Sequence, residues 1–225
     1  MDRGLEFAVA GETMVANANR SLFWPRGSTL FVADVHLGKA AAFRSQSIPL
    51  PHGTTDVALA RFDQAVCGCG CKRVVILGDL WHDRRGHSDG LLGKLITWRS
   101  GYPEIEFVLV TGNHDLKTGV SLHHGGFDEL EEFRIGPFVC RHHPEPSEEG
   151  YVLCGHIHPA VSLEGPGSPS LKLPCFWFGS RVGVLPAFGE FTGSAEVRPV
   201  VGDIVMVVGG DRVFSVGRDP VRTPG

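Results

Sequence analysis

A layered α/β fold is predicted by three features of the sequence. Five short apolar runs, rich in Val, Ile, Leu or Phe, each end abruptly at a polar cluster. Amphipathic helical patterns separate the first three, and beyond Pro159 the chain turns to β-type runs divided by Gly and Pro.

The first run is Thr29 to Ala33, followed by Asp34 and His36; the second is Arg73 to Leu77, followed by Gly78 and Asp79. Between them Leu59, Phe62 and Val66 share one helical face, with Thr54 or Thr55 as N-cap and Asp56 in the first turn. The third run, Ile105 to Val110, leads into Gly112, Asn113, His114 and Asp115, and is preceded by the stripe Leu91, Leu95 and Trp98. Phe138 to Cys140 precedes His142 and His143, and Tyr151 to Cys154 precedes Gly155, His156 and His158. In an α/β sheet ligands bind beyond the carboxyl ends of the strands, so the five clusters are expected on one sheet edge. After Pro159, the runs 160–164, 171–178, 181–185, 203–208 and 212–216 predict a second sheet packed on the first, with a hairpin at Gly209-Gly210-Asp211.

Composition narrows the class. With 42% hydrophobic and 20% charged residues the chain is neither disordered nor fibrous, and Gly and Pro, a fifth of its 225 residues, argue against a helical bundle. No repeat or linker interrupts it, so residues 1–225 read as one domain. A net charge of −4 lacks the basic footprint of a protein that grips nucleic acid by phosphate contacts alone, so an anionic substrate would be held locally. No apolar run approaches the ~20 residues that span a bilayer. The acidic start, with Asp2, Glu6 and Glu12, is unlike a signal peptide, which predicts a cytoplasmic protein with no membrane contact. Its cysteines are then expected to be reduced thiols, and Cys67, Cys69 and Cys71 lack the spacing of a zinc knuckle.

The strand-end clusters carry the chemistry. Asp34, His36, Asp79, Asn113, His142, His156 and His158 offer two carboxylates, one amide oxygen and four imidazoles. Mixed oxygen and nitrogen donors suit Mn, Fe, Zn or Co. Seven residues are too many for one ion, whereas two ions bridged by Asp79 take eight ligations from them. Such a centre lowers the pKa of a bridging water to about 7 and clamps a phosphoryl group, so phosphoester hydrolysis by a bridging hydroxide is its natural use.

The blocks Asp34-x-His36, Gly78-Asp79, Gly112-Asn113-His114-Asp115, His142 and Gly155-His156-Ile157-His158 resemble, in order, those of the calcineurin-like metallophosphoesterases. Asp34-Val35-His36-Leu37-Gly38-Lys39, His142-His143-Pro144, Leu173-Pro174-Cys175-Phe176-Trp177 and Leu185-Pro186-Ala187-Phe188-Gly189 extend the likeness to the ligase-associated DNA damage response endonucleases, the PdeM family. The resemblance implies a four-layer αββα sandwich and a manganese-dependent phosphodiesterase that is a single-strand DNA endonuclease, working beside a DNA ligase, a helicase and an exonuclease. It assigns Asp34, His36, Asp79 and His158 to one cation and Asp79, Asn113, His142 and His156 to the other. His142 is preferred to His143 because it lies closer to its strand and matches the family position.

His114, which the metal count does not need, is the candidate general acid. Asp115 reads as a loop-fixing carboxylate. The chain departs from the better-known protein phosphatases at His82, where they carry an Asp that orients the catalytic histidine. Lys39, Arg44, Arg84 and Arg85 lie near the clusters, and Lys39 with Arg84 or Arg85 is expected to hold the diester. Trp81, two residues after Asp79, is the candidate for stacking an unpaired base. Two alternatives share these residues: a metallophosphoesterase acting on a small phosphomonoester, cyclic nucleotide or dinucleoside polyphosphate, and a non-catalytic scaffold, which would not require the complete ligand set.

Overall fold

The computed structural model describes residues 4–45, 54–83, 89–163, 170–190 and 192–216, and structural statements below concern these. The chain begins with an antiparallel meander, β1 (Leu5–Val9), β2 (Glu12–Ala16) and β3 (Leu22–Trp24), leading into β4 (Thr29–Val32). Then come α1 (Lys39–Ser45), α2 (Thr54–Cys69), β5 (Arg73–Leu77), α3 (Asp89–Ser100), β6 (Glu106–Val110), α4 (Asn113–Thr118) and β7 (Asp128–Leu130). Strands β1 to β7 form one sheet in sequence order, with β4, β5, β6 and β7 parallel.

The remaining strands are β8 (Phe133–Ile135), β9 (Phe138–Cys140), β10 (Tyr151–Cys154), β11 (Pro159–Leu163), β12 (Leu171–Phe178), β13 (Val182–Val184), β14 (Ala195–Glu196), β15 (Ile204–Gly209) and β16 (Arg212–Ser215). They form the second sheet, in the order β14-β11-β12-β13-β10-β9-β8, with β15 pairing both β12 and β16. The expected hairpin closes β15 onto β16, with Gly209 opposite Arg212.

Alternation along the central strands explains why the sheets stack. Leu30, Val32, Val74, Ile76, Phe107 and Leu109 pack on Leu59, Phe62 and Val66 of α2 and Leu91 and Leu95 of α3. Their neighbours Phe31, Ala33, Val75, Leu77, Val108 and Val110 face Phe138, Leu153, Phe176, Phe178 and Met206 of the second sheet. Strands buried on both faces read as continuous apolar runs, which is why they were visible in the sequence. On the outer face of the second sheet, two small clusters gather around Val152 and around Val207, and among the described residues neither includes a helical one.

The structure corrects one expectation. The fourth and fifth runs, β9 and β10, pair parallel with each other inside the second sheet, so the clusters meet across two sheets rather than along one edge. Strands β9 and β10 are as buried as β4, β5 and β6, and apolar pattern alone does not say which sheet takes them. A strap from Leu185 to Gly189 ties the sheets together below the site. The Leu185 N–H donates to the Cys154 carbonyl, and the Phe188 and Gly189 N–H groups donate to the carbonyls of Ala33 and Asp34. Phe188 is buried against Phe62, which accounts for the apolar Leu-Pro-Ala-Phe-Gly motif.

Candidate metal centre

All seven predicted ligands sit just beyond strand ends, after β4, β5, β6, β9 and β10. Asp34, His36, Asp79 and His142 are buried at 0%, 5%, 2% and 3% exposure, and His156 and His158 are half-buried. Asp34, His36, Asp79, His156 and His158 all adopt positive φ, between 49° and 73°. That left-handed region is unfavourable for non-glycine residues, and its concentration on proposed ligands marks strain held for a purpose.

The donor atoms form two linked groups. In one, His158 Nε2 lies 3.2 Å from His36 Nε2 and 3.5 Å from Asp34 Oδ1. In the other, His142 Nε2 lies 3.1 Å from Asn113 Oδ1, 3.1 Å from His156 Nδ1 and 3.5 Å from Asp79 Oδ2. Asp34, Asp79 and His142 form a further close set that joins the groups. Two donors held about 2.1 Å from one ion at angles from octahedral to tetrahedral stand about 3.0–3.4 Å apart. The three spacings of 3.1–3.2 Å fall in that range, and the two of 3.5 Å to Asp34 and Asp79 lie just above it.

Surrounding contacts aim the imidazoles. His142 Nδ1 meets the Leu77 carbonyl at 3.1 Å and His158 Nδ1 meets the Gly193 carbonyl at 2.9 Å, which leaves each Nε2 free to ligate. His36 Nδ1 is buried with no hydrogen-bond partner, and burial pushes that imidazole down to about 2, so it stays neutral. Burial alone would raise the Asp79 carboxyl, but His142, the His114 N–H and His36 outweigh it and hold it at about 2. Burial likewise opposes charge on His142 and His158, yet Asp79 and Asp34 respectively raise them. Imidazole and carboxylate donors crowded together at these spacings, with the His36 imidazole held neutral by burial, fit the chemistry of bound cations.

Asp115 performs the loop-fixing role. Its Oδ1 accepts the Trp81 N–H and its Oδ2 the Gly112 N–H, both at 2.9 Å, and burial lifts this carboxyl to about 6. His114 lies beside the cluster with its ring half-exposed. Its backbone N–H donates to Asp79 Oδ1 at 2.9 Å, and its Nε2 is 3.9 Å from Asp79 Oδ2. The His114 Nδ1 contacts the main-chain carbonyl of His82, whose ring stacks on the His114 ring at 5.5 Å and 17°. A backbone carbonyl therefore supplies the contact for which the phosphatases use an aspartate. His143 is exposed, with its ring centroid 4.2 Å from that of His156, and one of its nitrogens lies within 4.8 Å of donors on His142 and His156.

Of the expected substrate contacts, Lys39 stands at the start of α1, half-buried and within the electrostatic reach of Asp34 and His36. Arg84 and Arg85 lie outside the described residues, as does the side chain of Arg44. Trp81 is a correction: at 1% exposure it belongs to the core between the first sheet and its helices, so it has no face for a base. Nearness to Asp79 in sequence did not imply a shared direction. Sequence reading also passed over Arg20, whose guanidinium holds the strap through the carbonyls of Ala187 and Gly189 at 3.2 and 3.0 Å.

Gly112 makes room for the carboxylate. A Cβ there would overlap Asp79 Oδ1 and lie 2.5 Å from the Asp79 backbone nitrogen. Gly112→Ala is expected to cost about 1–3 kcal/mol of stability, from overpacking. Displacing the cluster by ~1 Å should lower turnover by about 10²-fold. Thermal melts and initial rates check this, and wild-type values in both would contradict the close approach.

The layered fold and the donor set at its strand ends define a metallophosphoesterase. The crystal structure of Pseudomonas putida nuclease MPE matches it with a TM-score of 0.84 and 33% identity, over 95% of this chain and 100% of that one. The chain belongs to the calcineurin-like metallophosphoesterase family of that nuclease. Yfce, a phosphoesterase from E. coli, aligns over 86% of this chain and 99% of its own at 13% identity and a TM-score of 0.39, too weak a likeness to argue from. No family model and no curated protein sequence matches the chain.

Proposed function

We propose that the protein is a manganese-dependent phosphodiesterase that cuts single-stranded DNA internally. The observation that carries this reading is the convergence of seven N and O donors into two groups at ligand spacing, in a relative of a nuclease. Asp34, His36 and His158 would hold one cation, Asn113, His142 and His156 the other, and Asp79 both. When bound, the cations supply Lewis-acid stabilisation of phosphoryl charge and make water a competent nucleophile near neutral pH.

The remaining chemistry belongs to side chains. His114, oriented through Nδ1 by the His82 carbonyl, presents Nε2 toward the cluster, where it can protonate the departing oxygen. Lys39 adds a cation for a phosphate oxygen. The family resemblance adds a DNA repair setting beside a ligase, a helicase and an exonuclease.

The test is to strip the protein of metal, restore manganese and incubate it with covalently closed single-stranded circular DNA, with His114→Ala in parallel to expose contaminating nucleases. Linearisation by the wild type alone supports the reading. Intact circles together with hydrolysis of small phosphoesters would overturn it in favour of a small-substrate enzyme.

A further inference from the structure

A cavity of about 200 Å³ adjoins the metal cluster at His158 and is lined by Arg20, Lys172, Ala187, Thr192 and Ser194. It is smaller than the ~300–1,000 Å³ pockets that enclose whole ligands, yet far larger than the ~30 Å³ share of one water. Its capacity suits a phosphate with its sugar. Among the described residues its lining includes Arg20 and Lys172 and no carboxylate.

Arg20 projects from the turn between β2 and β3, with φ at 69°, and its two carbonyl contacts pin the guanidinium to the strap. Those contacts use Nη1, which leaves Nε and Nη2 without a protein partner among the described residues. Burial and the neighbouring Arg61 disfavour its charge, with Glu190 as the opposing influence. Arg61 is itself ion-paired with Glu190, whereas Arg20 forms no ion pair among the described residues. Lys172 stands on β12 opposite Ser162, exposed, with Nζ donating to the Ser194 carbonyl at 2.7 Å. A half-buried guanidinium and an ammonium on one small cavity, in a chain of net charge −4, form a local anion seat.

We propose that this cavity is a subsite for one sugar-phosphate unit of the substrate strand, adjacent to the scissile phosphodiester on the His158 side, with Arg20 and Lys172 taking the phosphate. The proposal rests on the nuclease reading above. It explains how an acidic protein holds a polyanion next to its catalytic centre, and it gives the enzyme a reason to prefer a chain over an isolated phosphoester.

The test uses Lys172→Gln, because Arg20 also supports the strap. With the manganese-loaded full chain, kcat/KM for a single-stranded oligonucleotide should fall about tenfold more than that for bis(p-nitrophenyl) phosphate, which has no neighbouring nucleotide. The salt dependence of oligonucleotide KM should lose about 0.7 in logarithmic slope, one phosphate contact on a single strand. Lys172→Arg should recover most of both. One neutral methylphosphonate linkage, scanned along the oligonucleotide, should impair the wild type at one flanking position and impair Lys172→Gln little further there. Equal losses on both substrates with an unchanged salt slope would overturn the subsite and leave the nuclease reading standing. Wild-type protein that hydrolyses the small diester but no oligonucleotide would overturn the nuclease reading, and the subsite with it.

Discussion

Replacing Asp79 with asparagine will lower phosphodiester turnover by about 10³-fold or more, because metal-ion stabilisation of the transition state is worth several kcal/mol and each 1.36 kcal/mol is tenfold in rate. Asp79 is 2% exposed, and His142, the His114 N–H and His36 together keep it ionised. Asparagine preserves the shape and can still accept the His114 N–H, now at 2.9 Å from Oδ1. It removes the negative charge that both donor groups share. Metal content after gel filtration should therefore fall together with the rate, and manganese should no longer raise the melting temperature as it does for a protein whose folded state alone binds it. Two retained cations at wild-type turnover would contradict the bridging assignment.

His114→Ala is expected to behave differently, with turnover falling by about 10²–10⁴-fold, the usual worth of general acid–base catalysis, while both cations stay bound. The separation follows from geometry. The backbone N–H that supports Asp79 survives the substitution, and His114 Nε2 stands 3.9 Å from Asp79 Oδ2, farther than the 3.5 Å of His142 Nε2, although a His114 nitrogen also lies within 4.8 Å of donors on His36 and His82. Loss of metal in proportion to loss of rate would make His114 a ligand or a structural prop instead. A substrate with a good leaving group should blunt the defect, since a proton donor matters least where the departing oxygen is already stable.

The cluster of candidate ligands was legible in the sequence because each block combines chemistry with a place. Asp34, Asp79, Asn113, His142, His156 and His158 all follow apolar runs that had to be buried strands, and a strand end is where polar side chains meet a ligand. The glycines told part of the same story, since Gly112 is what allows Asp79 to sit so close. Other features left no such trace. Strands β1 to β3 were missed because β1 and β2 are short and fully bury few apolar residues, Phe7, Met14 and Ala16, with the buried face also carrying Glu12. The left-handed backbone at five of the candidate ligands is not readable from the Asp-x-His or His-x-His spacing. Trp81 went wrong because nearness in sequence does not set side-chain direction, and its ring is buried in the core two residues after Asp79. Arg20 reaches its partners on the strap more than 160 residues away, beyond any local pattern.

The central claim is a two-cation centre built by these seven side chains, and counting the cations tests it most directly. Metal-free protein titrated with manganese and followed by electron paramagnetic resonance should bind two ions per chain. The second should quench the signal of the first, because ions that share a carboxylate lie about 3.5–4 Å apart and their spins couple. His158→Ala and His156→Ala should each reduce the count to one and abolish the coupling. One ion per chain in the wild type, or two uncoupled ions unaffected by either substitution, would contradict the account.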